Sequence, residues 1–136
     1  MSSNNLKKSP ENEVQTSGQT NRSNNPLRTV LPFLRAWFNG DWEEAIKYCY
    51  PGYIDAYQRA GIKPEYALCQ RLHWGTEFKG FTNIEFKDPG SFDDRVTLHA
   101  FVIAYTEKRS YGLIIGMAQD EDEEWKVLPT SIVRPV

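Results

Sequence analysis

Apolar side chains are nearly missing from the first 25 positions, where Met1, Leu6 and Val14 stand alone among Ser, Asn, Gln, Thr and Lys. They then recur in ordered patterns to the end of the chain. Leu27, Val30, Leu31, Leu34 and Phe38 fall at helical spacing, with Phe33 and Trp37 widening the stripe, and Asn25-Pro26 supplies a start signal. Pro32 inside that stripe predicts a kink, or a later start with Thr29 as cap. Asn39-Gly40 predicts the stop. Asp41 is placed to cap a second helix from Trp42 to about Tyr50, with Glu44 as the reciprocal partner of a capping box, and Pro51-Gly52 ends it. Short helices follow over Tyr53–Ala60 and Pro64–Trp74, closed by Gly61 and Gly75.

After Gly75 the period shortens to that of strands. Phe78 to Lys87 alternates through Ile84, Glu85, Phe86 and Lys87, and Asp88-Pro89-Gly90-Ser91 reads as a turn. Arg95–Thr106 is a long strand with Val96, Leu98, Ala100, Val102 and Ala104 on one face and Thr97, His99, Phe101, Ile103 and Tyr105 on the other. Glu107-Lys108 turns the chain into Arg109–Gln119. The acidic loop Asp120 to Glu124 leads to Trp125-Lys126-Val127-Leu128 and a last strand to about Val133. Helices followed by an antiparallel meander predict an α+β domain over residues 26–136, preceded by a disordered polar tail over residues 1–25. Removing the tail is expected to leave folding intact.

The segment LPFLRAWFNGDWEEAIKYCYPGY runs helix, Gly-Asp, helix, Pro-Gly, and DEDEEWKVLPTSI closes the meander with a charged turn into a Trp-Lys-Val strand. In this order the chain resembles the nuclear transport factor two-like (cystatin-like cone fold) superfamily from about Pro26 to Val133. The resemblance implies N-terminal helices packed on a strongly curved antiparallel sheet that encloses a conical pocket. It also implies dimerisation through the outer sheet face, as in many members. It does not fix an activity, because the superfamily holds ketosteroid isomerases, dehydratases and polyketide cyclases beside binding and assembly modules.

Composition narrows the partners. The chain has 16 Lys+Arg against 18 Asp+Glu, with the basic residues dispersed, so a nucleic-acid partner is not expected. No apolar run approaches a membrane span, and the first residues have no apolar core of a signal peptide, so a cytoplasmic protein is expected. Cys49 and Cys69 stand 20 residues apart without CxxC spacing, which predicts reduced thiols and no zinc. The acidic loop lacks the glycine and ligand spacing of a calcium site. No metal and no cofactor are expected.

Two functional readings follow. All 18 aromatic residues lie beyond residue 25, and they fall on the helices and on both expected faces of the long strand and its partner taken together, which favours a sheet covered on both sides. The first reading is therefore a non-enzymatic interaction or assembly module, a homodimer or the binder of a partner protein. The second uses the cone as a pocket for a small apolar ligand, lined by Trp37, Tyr57, His99, Phe101 and Tyr105. Isomerase or cyclase chemistry needs a base beside an apolar pocket and a donor aimed at the developing oxyanion. His99 is the candidate acid/base, Tyr105 or Tyr57 the hydroxyl donor, and Asp55 and His73 further titratable groups near the mouth. Against this stands the plain alternative of a strand histidine that meets a polar neighbour or solvent.

Overall fold

The computed structural model describes residues 25–88 and 96–135. The tail expected over residues 1–25, Asn25 apart, lies outside the described residues, as does the Asp88-Pro89-Gly90-Ser91 turn beyond Asp88. The α+β class is as expected. Helices α1 (Leu27–Phe38), α2 (Trp42–Ala45), α3 (Pro51–Arg59) and α4 (Pro64–Leu72) precede strands β1 (Gly80–Lys87), β2 (Leu98–Tyr105), β3 (Ser110–Gln119) and β4 (Trp125–Val127). The strands form one antiparallel sheet in the order β1-β2-β3-β4.

The local signals for helix ends act as their chemistry requires. Gly40 takes φ +71° after α1, so that its N–H reaches the Trp37 carbonyl at 3.0 Å and the Asp41 N–H reaches that of Ala36 at 2.8 Å. Gly61 does the same after α3 with φ +77°, through the Gly61 N–H to Gln58 and the Ile62 N–H to Tyr57. Asp41 accepts the Glu44 N–H at 3.2 Å and caps α2. The capping box is not reciprocal, because the Glu44 carboxylate instead accepts from Lys47 at 2.9 Å and from the Tyr48 hydroxyl.

Several boundaries differ from expectation. The helix expected from Trp42 to about Tyr50 is α-helical over Trp42–Ala45 and continues as a 3₁₀ turn over Ile46–Tyr48. Pro51-Gly52, expected to end it, instead opens α3, with the proline in the first turn where its missing N–H costs nothing. Helix α1 runs through Pro32, which removes one hydrogen bond to the exposed Arg28, while Leu27, Val30, Phe33, Leu34 and Trp37 remain buried on one side. Pro129 breaks the expected last strand, so β4 stops at Val127 and a single 3₁₀ turn spans Pro129–Ser131. A 3₁₀ segment, His73–Glu77, also extends α4.

The core lies between the helices and one face of the sheet. Phe33, Leu34, Trp37, Leu68 and Leu72 are fully buried against Ala100, Val102, Ala104, Leu113, Ile115 and Met117. The Trp37 indole N–H donates to the Leu72 carbonyl at 2.7 Å, which ties α1 to α4. Ala100 and Ala104 of β2 are fully buried in this core. A parallel bridge from Cys49 to Val127 and the Tyr50 N–H to Val127 carbonyl bond of 2.8 Å join the helical layer to β4.

The strong curvature expected of the sheet is not present: the sheet is not strongly curled. Bends of that kind come from bulges, and β2 pairs with β3 in unbroken register from Leu98↔Met117 to Tyr105↔Ser110. The register shift among the described pairings lies in β1 between Thr82 and Glu85, where Asn83 takes φ +53°.

Candidate protein-interaction face

Alternation divides β2 into two apolar faces, and only one of them meets the helices. Ala100, Val102 and Ala104 point into the core, so His99, Phe101, Ile103 and Tyr105 stand on the outer face. The register adds Thr82, Glu85 and Lys87 from β1 and Ser110, Gly112 and Ile114 from β3 to that face. Ile103 is 36% exposed, Tyr105 38% and Ile114 45%, with Phe101 half-buried among them. Beyond Ile114 the face is covered by its own chain. The Gly116 N–H donates to the Ser131 hydroxyl at 2.7 Å, and Ala118 packs with Val96 and Leu128.

Among the described residues, the charged side chains that the register places on this face are Glu85 and Lys87 of β1. The Lys87 ammonium lies 3.9 Å from the Glu85 carboxylate and 5.2 Å from the centre of the Phe101 ring. Both charged side chains are well solvated, so the pair contributes little to stability. The cation over the ring is of ordinary cation–π geometry and helps fix Phe101. His99 sits across from Lys87 and meets Phe101 edge-on at 6.0 Å. Among the described residues its imidazole has no carboxylate partner and no hydrogen bond.

The structure does not gather the expected pocket. Trp37 is 0% exposed in the core, on the helix side of the sheet, whereas His99, Phe101 and Tyr105 share the outer side. Tyr57 and Asp55 belong to α3, and no hydrogen bond, ion pair or ring contact joins either to His99 among the described residues. Tyr57 instead packs against Tyr53, ring centres 5.0 Å apart. His73 is exposed at the end of α4. The inward position expected for His99 is thus corrected. Both faces of β2 are apolar, and the helices take the one with the smaller side chains.

Two buried groups stand outside the expected set. Burial pushes the Cys49 thiol up to about 12, and its Sγ meets the Ala45 carbonyl at 3.6 Å, so it is an inert core thiol. Burial, with Tyr57 beside it, raises the Tyr53 phenol to about 12. The Tyr53 hydroxyl is shut off from solvent, and Tyr57 does not complete a hydrogen bond to it. Tyr53 and Tyr57 are four residues apart on α3, so their contact follows from helical spacing, whereas the burial of the Tyr53 hydroxyl depends on the fold.

Among the described residues no three His, Cys, Asp or Glu side chains come together as a metal-ligand set. The acidic turn is organised by Asp120, whose carboxylate accepts the N–H groups of Asp122 at 2.8 Å and Glu124 at 3.0 Å. Among the described residues no helix is long and apolar enough to cross a membrane. No family model matches this chain, and neither a curated protein nor a solved structure matches it.

Proposed function

We propose that this chain is a non-enzymatic interaction module that associates with a second copy of itself through the outer face of its sheet. The observation that carries this reading is the group Phe101, Ile103, Tyr105 and Ile114, apolar and open on one face while the same strands are buried on the other. Contiguous exposed apolar surface with a charged rim is characteristic of association sites. The rim favours a copy over a charged partner: Glu85 and Lys87 cancel, so two such faces meet without net repulsion.

Membership of the nuclear transport factor two-like superfamily is part of the same proposal. Its support is the order of elements, N-terminal helices and then a four-stranded antiparallel meander. A cytoplasmic setting suits two free cysteines.

Sedimentation velocity tests the association. The wild-type chain is expected to sediment at twice 15.7 kDa at concentrations of about 100 µM. Replacing Ile103 and Ile114 together by Asp, with circular dichroism unchanged, is expected to weaken association at least about a hundredfold. A wild-type chain that stays monomeric, or a double variant that associates normally, removes this function.

A further inference from the structure

Asn39-Gly40 is the one Asn-Gly pair in the chain. Such a pair carries a chemistry of its own. With no side chain on Gly40 to obstruct it, the Gly40 backbone nitrogen can attack the side-chain carbonyl carbon of Asn39. The nitrogen gives its proton to water, the carbon–nitrogen bond of the side-chain amide breaks, and ammonia leaves. Water then opens the five-membered imide at either carbonyl. One opening gives aspartate, the other isoaspartate, in which the main chain runs through the side-chain carbons.

The fold meets half of what this reaction needs. Asn39 is exposed, and among the described residues no hydrogen bond holds its side-chain amide. The nucleophile, however, is turned away. Ring closure requires the Gly40 nitrogen to eclipse Cβ of Asn39 about the Cα–C bond, whereas ψ of −3° makes it eclipse Asn39's own nitrogen. The Gly40 N–H is also committed to the Trp37 carbonyl at 3.0 Å, and the Asp41 N–H to that of Ala36 at 2.8 Å. Rotating the peptide between residues 39 and 40 to the reactive angle breaks the first bond and displaces the chain that makes the second.

We infer that Asn39-Gly40 is a deamidation site gated by the turn between α1 and α2, so that its conversion records how often that turn opens. This chemistry does not depend on what covers the sheet. Opening one helix end costs less than unfolding the whole chain, so conversion proceeds while the core stays folded, at a rate set by the fraction of time the turn is open. The two products differ in what the turn can hold. Aspartate keeps the main chain unchanged and lies four residues beyond Arg35, a spacing at which opposite charges meet on a helix. Isoaspartate lengthens the main chain inside a turn that Gly40 closes with φ +71°, so the bonds to Trp37 and Ala36 do not both re-form.

The test is peptide mapping by mass spectrometry of the full chain, aged at neutral pH either folded or in urea beyond its unfolding midpoint. In urea, Asn39 is expected to convert faster than every other Asn of the chain. In the folded chain its conversion is expected to be at least about tenfold slower than in urea. Asp41→Ala removes the cap of α2 and leaves the Asn-Gly pair in place, and is expected to speed the folded-state conversion at least about threefold. Equal rates in folded and unfolded wild type overturn the gate, as does a folded Asp41→Ala variant that converts no faster than wild type. No preference for Asn39 in urea overturns the site. The purified isoaspartate form is expected to unfold at lower urea than wild type, while an Asn39→Asp variant stays near it. An isoaspartate form with the wild-type midpoint overturns the role given to the turn.

Discussion

Tyr53 and Cys49 show how single side chains set measurable properties of the fold. The Tyr53 hydroxyl is buried without a partner among the described residues, and a lone buried hydroxyl costs about 1–3 kcal/mol relative to water. Tyr53→Phe is therefore expected to stabilise the chain by about 1 kcal/mol, read as a shift in urea midpoint at constant slope. A loss of stability contradicts that description of the hydroxyl. The Cys49 thiol has a second consequence. Unfolded, it ionises near its ordinary 9.0, but folded it stays neutral until about 12. Above the lower value the unfolded chain holds fewer protons, so stability is complete below about pH 9 and falls as the pH rises toward 12. The loss expected from this thiol between about pH 8 and about pH 10 is on the order of 1 kcal/mol, and Cys49→Ala is expected to remove that slope. An unchanged slope in the variant assigns the loss to other groups. Legibility at this scale followed locality. The Asp41 cap is three residues from the N–H it accepts, so it can be read from spacing, whereas the enclosure of Tyr53 needs the fold.

The elements tell the same story at longer range. Helix ends at Asn39-Gly40 and Gly61 were readable because a left-handed glycine closes a helix by bonds to its own last turn. Gly75 was expected to close a helix and does something else. It lies buried in the 3₁₀ segment His73–Glu77 under the Trp37 ring, where a Cβ would overlap the indole. Gly75→Ala is therefore expected to destabilise the fold by about 1–3 kcal/mol by forcing Trp37 off the Leu72 carbonyl, measurable by chemical denaturation and indole fluorescence. A neutral substitution contradicts the close packing. Strand β2 was legible as a strand but not in its orientation. A period of two separates its faces without saying which is inner, and here both faces are apolar. Ala100 and Ala104, the less hydrophobic choice, are the buried ones, in the same cluster as Phe33 and Trp37.

For the whole molecule the sequence patterns sufficed for class and order, helices before an antiparallel meander, but not for the shape of the sheet or the grouping of distant side chains. The pocket expected from Trp37, Tyr57, His99, Phe101 and Tyr105 is divided by the sheet itself. What remains is an apolar face, and the account stands on a second copy covering it. The most direct measurement is a concentration series of methyl spectra with the isoleucines labelled, from about 10 µM to about 1 mM. Ile103 and Ile114 are on the face, Ile115 is in the core, and Ile62 is 40% exposed beyond α3. The account predicts that the Ile103 and Ile114 signals move together with concentration while those of Ile62 and Ile115 stay in place. Signals that are all unmoved, or movement at Ile62 with Ile103 and Ile114 unchanged, contradict it.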